Sequence, residues 1–278
     1  MKIGIDLGGT NVRVALVNNE GIVSVIKEPC KADKSVEETT GHIKEMIHRI
    51  ITPEVIGIGI GVPSAVDPEK GIVYNVNNIP SWKEVHLKEI IETEFKLPAF
   101  VNNDANCFVL GEQRYGIAKS AKNVVGIAAG TGVGSGVIIN NELYAGTNTC
   151  AGEIGCVAYR DGIYEDYCSS RFFSRVYNTT GVEAFEAAQK GDAVALKIWD
   201  EFGNHIGNLI QMVLFTYDPQ VIVFGGSISN AFQLFEPSMR RNLQGFLFPK
   251  IVEKLRIEVS QMNDVGILGA ASLIKCES

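Results

Sequence analysis

Apolar residues fall in short runs closed by glycine or proline, with stretches of helical periodicity between them. Residues 2–7 read as a buried strand, Gly8-Gly9 as a turn and residues 12–17 as the returning strand. A turn at Asn18-Asn19-Glu20-Gly21 leads into a third strand over 21–28, which makes an antiparallel meander. Over 35–51 the period lengthens. Ile43, Met46, Ile47 and Ile50 recur at helical spacing, Ser35 and Glu38 form a capping-box pair, and Pro53 ends the helix. Residues 55–63 alternate apolar positions with Gly57, Gly59 and Gly61, so one face of that strand lacks side chains and admits close approach. A helix packed on Gly57 and Gly59 is the expectation. Gly61, at the strand end before Pro63-Ser64, is expected beside a ligand.

Residues 75–82 read as a loop, 84–95 as a helix, 99–101 as a short strand running into Asn102-Asn103-Asp104, and 108–115 as a continuing helix. A strand over 123–129, a glycine-rich stretch over 130–136 and a strand over 137–140 repeat the build of the opening hairpin. Residues 150–170 show no clear period. One long helix spans 192–217, in which His205 reads as a packed or capping histidine. Residues 221–227 form a third strand-to-glycine junction, 246–249 a loop and 256–259 a final strand. Residues 266–271 open a last helix whose small residues permit close packing.

Candidate chemistry gathers at the strand ends. Gly8 and Gly9 can take positive φ without a Cβ penalty, so their turn can converge N–H groups on an anion. Thr10 and Asn11 add donors, and Asp6 adds a carboxylate able to hold Mg²⁺ through water. An ordinary hairpin with a solvated Asp6 fits the same residues. Gly130, Thr131 and Gly132 form a second such turn, which suggests two phosphate grips facing each other across a cleft. Neither turn carries the G-K-[ST] of a P-loop. Asp104 reads either as a helix N-cap or as a side chain at the mouth of an α/β sheet, where ligands bind. Asn77 and Asn78 either turn the chain or bond a hydroxylated ligand. Glu153 and Glu165 are either solvated surface or acceptors for sugar hydroxyls.

With 278 residues, 46% hydrophobic and 21% charged, the chain is globular and long enough for two lobes or one large α/β domain. The net charge of -7 and the absence of any Lys/Arg run argue against a nucleic-acid partner. Cys30, Cys107, Cys150, Cys156, Cys168 and Cys276 include no C-x-x-C pair, and the chain opens on a core strand without a leader pattern. Reduced thiols and a cytoplasmic location are therefore expected. No stretch is apolar for long enough to enter a membrane as a spanning helix.

Six segments then follow in order over nearly the whole chain: "IDLGGTNVRVAL", "VNNDAN", "GIAAGTGVGSGVIINNELYAG", "CAGEIG", "VIVFGGSIS" and "GILGAASL". Together they resemble the ROK family of sugar kinases in the actin/hexokinase superfamily, and within it the glucokinases. The resemblance implies a ribonuclease-H-like α/β fold of two lobes around a central cleft. Residues 1–103 with the terminal helix 265–278 would form one lobe, and residues 104–264 the other. It implies ATP-dependent phosphorylation of a hexose, glucose first, with Asp104 as general base. Asn103, Glu153 and Glu165 would bind the sugar, joined by Gly61 and Asn78. Asp6, Gly8, Gly9, Thr10, Asn11, Gly130, Thr131 and Gly132 would hold Mg-ATP phosphates, with Gly225 and Gly226 near the adenosine. A homodimer is common among relatives.

One departure stands out. Cys156 takes the place of a family histidine that touches the sugar, so it joins the substrate set with its effect open. The stretch 157–164 is too short for the family's Cys-x-Cys-Gly-x-x-Gly-Cys zinc loop, so no structural zinc is expected. Cys150, Cys156 and Cys168 match no common metal spacing. Fructose, N-acetylmannosamine and N-acetylglucosamine stay open as substrates. Two other classes compete. A sugar-responsive repressor of the family would carry a helix-turn-helix ahead of the first loop, which here starts within ten residues of Met1. A non-catalytic sugar or nucleotide binder conflicts with Asp104 and both loops, yet the departures keep it open.

Overall fold

The computed structural model describes residues 1–147 and 149–275. Cys276 and the end of the expected terminal segment lie outside them. The opening meander is β1 (Lys2–Leu7), β2 (Asn11–Val17) and β3 (Ile22–Pro29). Helix α1 (Val36–His48) starts on a complete capping box: the Ser35 hydroxyl accepts from the Glu38 N–H, and the Glu38 carboxylate accepts from the Ser35 N–H. Strand β4 (Ile58–Val62) follows, then a small antiparallel sheet of β5 (Ala65–Asp67), β6 (Ile72–Tyr74) and β7 (Glu84–His86). Next come α2 (Leu87–Phe95), β8 (Ala99–Asn103) and α3 (Asp104–Arg114). β4 pairs parallel to β1 and β8 parallel to β4, so the first sheet is ordered β3-β2-β1-β4-β8.

The second half repeats the plan. It opens with β9 (Val124–Ala129), β10 (Val133–Ile139) and β11 (Glu142–Leu143). The hairpin β12 (Ala158–Tyr159) and β13 (Gly162–Ile163) follows. Four helices come next: α4 (Tyr164–Cys168), α5 (Arg171–Tyr177), α6 (Gly181–Gln189) and α7 (Ala193–Tyr217). The chain ends with β14 (Val221–Gly225), α8 (Phe232–Leu243), α9 (Pro249–Lys254), β15 (Arg256–Val259) and α10 (Val265–Ser272). The second sheet is ordered β11-β10-β9-β14-β15, with β14 parallel to both neighbours.

Three expectations change. The glycine-rich stretch 130–136 is a turn only over 130–132, because residues 133–136 already pair with β9 as the start of β10. Residues 84–86 are a strand because they pair with β6, Glu84 opposite Tyr74, and that pairing overrides helical spacing. The aperiodic stretch 150–170 holds β12, β13 and α4, each too short to show a period.

One core lies under the first sheet, around Ile3, Ile5, Ile43, Met46 and Trp82. The other surrounds α7, where Trp199 and Phe202 meet Phe172, Phe173 and Phe235. Helix α10 is seated by glycines on three neighbours. A Cβ at Gly4 would lie 2.3 Å from the Ile267 carbonyl oxygen, at Gly59 1.8 Å from that of Ala270, and at Gly111 2.2 Å from that of Val265. The expected helix over Gly59 is thus α10. Among the described residues no helix is long and apolar enough to cross a membrane.

Candidate active site

A cleft of about 850 Å³ opens between the ends of the two sheets, walled by Asp6 and Asn103 from the first and by Gly130 to Gly134 and Gly225 from the second. Asp104 stands in it where β8 passes directly into α3. Both Asn103 and Asp104 are cap-forming residues, and Asn103 takes the cap. Its side-chain oxygen accepts from the Ala105 N–H at 2.9 Å and the Asn106 N–H at 3.4 Å, and its amide donates to the Ser64 carbonyl at 3.3 Å. Asp104 is therefore the first helical residue, with one oxygen accepting from the Ala105 N–H at 2.8 Å. Burial, then the charges of Asp6 and Glu153, push its carboxyl up to about 7, against the opposing Ala105 hydrogen bond. A carboxyl poised there accepts a proton at neutral pH.

Asp6 is held by a residue that the sequence pattern did not single out. Arg13 bonds one Asp6 oxygen through Nε at 3.0 Å and through Nη2, and reaches Asp264 through Nη1. The Asp6–Arg13 pair was legible: the hairpin register sets the two directly opposite. The Asp264 contact spans 251 positions and left no local signal. The second Asp6 oxygen has no hydrogen-bond partner among the described residues. One hard oxygen donor on a cleft wall fits Mg²⁺, which keeps most of its waters.

The opening turn behaves otherwise than expected. Neither Gly8 nor Gly9 has a positive φ. Gly9 is required by space: a Cβ there would sit 2.4 Å from the Asn78 Cβ. Gly8 donates to the Asn11 carbonyl at 2.9 Å. Asn78 packs against Gly9, and Asn77 lines the cleft. The second turn also lines it. Gly130 donates to the Gly132 carbonyl at 2.9 Å, Thr131 is exposed at the tip, and a Cβ on Gly132 would lie 2.4 Å from Glu165. Gly226 does use a left-handed conformation, φ +81°, under the Ala129 carbonyl, and Gly225 makes room for the Phe108 ring.

Glu165 is not a bare acceptor. Its Oε2 accepts from the Val133 N–H at 2.9 Å and its Oε1 pairs with Arg171 at 2.8 Å, so it braces the second turn. Each oxygen keeps a lone pair for a hydroxyl on the cleft side. Glu153 lines the cleft, its carboxyl raised by desolvation and then by Glu165. Cys156 is exposed outside the wall, its thiol raised by desolvation and by Glu153 and Glu165. Gly61 is buried beneath the site, where a Cβ would meet Cys107 Sγ at 3.1 Å and the Asp104 Cα at 3.7 Å. It makes room for the Cys107 side chain at the start of α3. Asn230, Asn263 and Ser260 also line the cleft, unmarked by any motif. Among the described residues no three His, Cys, Asp or Glu side chains group as a metal site.

Two sheets of one plan, facing across a cleft with an acid at a strand end, define a two-lobed α/β protein of the actin/hexokinase-like class. The chain belongs to the ROK family, whose profile matches residues 2–277. It is 29% identical over 312 residues to a glucokinase of Halalkalibacterium halodurans, covering 98% of this chain and 94% of that protein. It is also 29% identical over 295 residues to the xylose repressor of Bacillus spizizenii, covering 98% of this chain and 76% of that one. Among solved structures, the ROK family glucokinase from Streptomyces griseus in complex with glucose and AMPPNP superposes with a TM-score of 0.79 at 26% identity, over 98% of each chain.

Proposed function

We propose that this protein transfers the γ-phosphoryl group of ATP to a hydroxyl of a hexose, with glucose the first candidate. The observation that carries this reading is Asp104, released from capping by Asn103 and poised near neutrality at the cleft. The likeness to a glucokinase crystallised with glucose and AMPPNP supports it. Asp104 accepts the proton of the attacking hydroxyl, a contribution of about 10²–10⁴ in rate. Glu153, Asn103 and the free side of Glu165 hold other hydroxyls and select the one presented to phosphorus. The N–H groups of Thr131 and Gly132, at the tip of the second turn, and the Arg13 guanidinium face the phosphates. Mg²⁺ arriving with the nucleotide, held by Asp6, supplies charge neutralisation when bound. Closure of residues 1–103 with the terminal helix onto residues 104–264 excludes water from the transfer.

A coupled assay of ADP release over glucose, fructose, N-acetylmannosamine and N-acetylglucosamine tests the reading. ADP release that no sugar stimulates would end it. The match to a xylose repressor favours one second reading, a sugar-binding protein without turnover. That reading expects calorimetric sugar binding in the absence of ADP release.

A further inference from the structure

A line of polar side chains beside the aromatic core, half-buried except for the buried His205, takes no part in the transfer chemistry. Gln211 on α7 donates to the Asn242 side-chain oxygen on α8 at 2.8 Å, and the Asn242 amide donates to the Asn208 oxygen at 3.3 Å. The Asn208 amide donates to the Tyr159 hydroxyl oxygen at 2.8 Å. With that oxygen accepting, the Tyr159 O–H donates onward to His205 Nδ1 at 3.1 Å. The other ring nitrogen of His205, Nε2, lies 3.6 Å from a Glu201 oxygen. Burial keeps that imidazole neutral.

Taking hydroxyl, amide and imidazole groups partly out of water costs stability unless they are bonded. What a directional ladder adds is a single geometry. Its end falls on the β12–β13 hairpin. The Tyr159 ring stacks on Tyr164, with centroids 4.3 Å apart and planes at 12°. The Tyr164 hydroxyl donates to the Asn208 carbonyl at 3.3 Å. Hairpin and helix α4 are thus both pinned at Asn208. The residue after Tyr164 is Glu165, which braces the Val133 N–H of the second glycine turn. Upstream, the turn that follows Glu153 runs into β12 and is tied by the Tyr164 N–H to the Val157 carbonyl at 3.0 Å.

We propose that Tyr159 and His205 are positioning residues: the Asn208–Tyr159–His205 ladder locks the hairpin so that Glu165 and Glu153 are presented to the sugar in one orientation. Its kinetic half rests on the sugar-kinase reading; its structural half does not.

Tyr159→Phe tests it, because the variant keeps the ring stacked on Tyr164 and breaks the ladder at its centre. Amide hydrogen exchange should speed up at least about tenfold across residues 157–168 and stay unchanged across residues 2–29. The hexose KM should rise about five- to tenfold while the ATP KM moves less than about twofold. Wild-type exchange across 157–168 would overturn the proposal. So would both KM values rising together with a matching loss of global stability, the mark of a merely structural residue. If no hexose is turned over by the unmodified protein, the kinase reading fails on its own, and the exchange measurement still decides whether the ladder holds the segment.

Discussion

Asp104→Asn removes a charge and leaves the shape of the side chain. In the folded chain, burial and the charges of Asp6 and Glu153 keep the Asp104 proton bound up to about pH 7, against an ordinary value of 3.8. Between those two values the folded state binds a proton that the unfolded state has released. Stability from this group therefore falls as pH rises through that window and is fully lost above about 7, at a cost of up to about 4 kcal/mol. Asn pays no such cost and can still accept from the Ala105 N–H. The variant should match the parent near pH 4 and exceed it at pH 8 by about 2–4 kcal/mol in urea unfolding. Turnover should fall by about 10²–10⁴ with hexose binding largely kept. A variant no more stable than the parent at pH 8 would refute the account of the buried carboxyl. Undiminished turnover would remove Asp104 as the base.

Three further outcomes follow from the same geometry. The hexose kcat/KM should climb about tenfold per pH unit below about 7 and level off above it, and a flat profile from pH 5 to 8 would count against Asp104. Glu165→Gln keeps an acceptor for the Val133 N–H but loses the charged pair with Arg171; the hexose KM should rise about tenfold or more, measured in the coupled assay. Thr149 is buried at φ +56°, accepting from the Val66 N–H at 2.9 Å and donating to its carbonyl at 3.0 Å. Thr149→Val preserves the shape and breaks both bonds, so chemical unfolding should show a loss of about 1–3 kcal/mol.

Periodicity carried the reading of the opening meander, the long helix α7 and the parallel strands, because their apolar faces are long enough to repeat. It failed for β5 to β7 and for β12 and β13, whose two- or three-residue strands exist only through their pairing partners. The adjacent cap formers Asn103 and Asp104 offered no local basis for choosing between them; the reach of one side chain to two N–H groups made the choice. Gly9 was legible as necessary, but positive φ is not the reason: Asn78, remote in sequence, presses on it. Asn230, on a short 3-10 helix over Ser227–Ala231, and Asn263, in a turn, reach the cleft from segments that carry no local signal.

The crossing of α3 and α10 has a mechanical consequence. At Gly111 and Gly269 the two helices meet as bare rods: an added Cβ would come within 2.2 Å of Val265 or 1.6 Å of Cys107 main-chain oxygen. Their spacing is set chiefly by main-chain contact, with the Val265 Cγ2 also 2.8 Å from a Cβ placed at Gly111. Gly111 lies seven positions, about 10 Å, along the same rod from Asp104. Tilting that rod by about 10° at the crossing would swing the acid by nearly 2 Å, where about 1 Å of misplacement costs on the order of a hundredfold in rate. The aim of the carboxylate is thus set by an empty place a full two turns away.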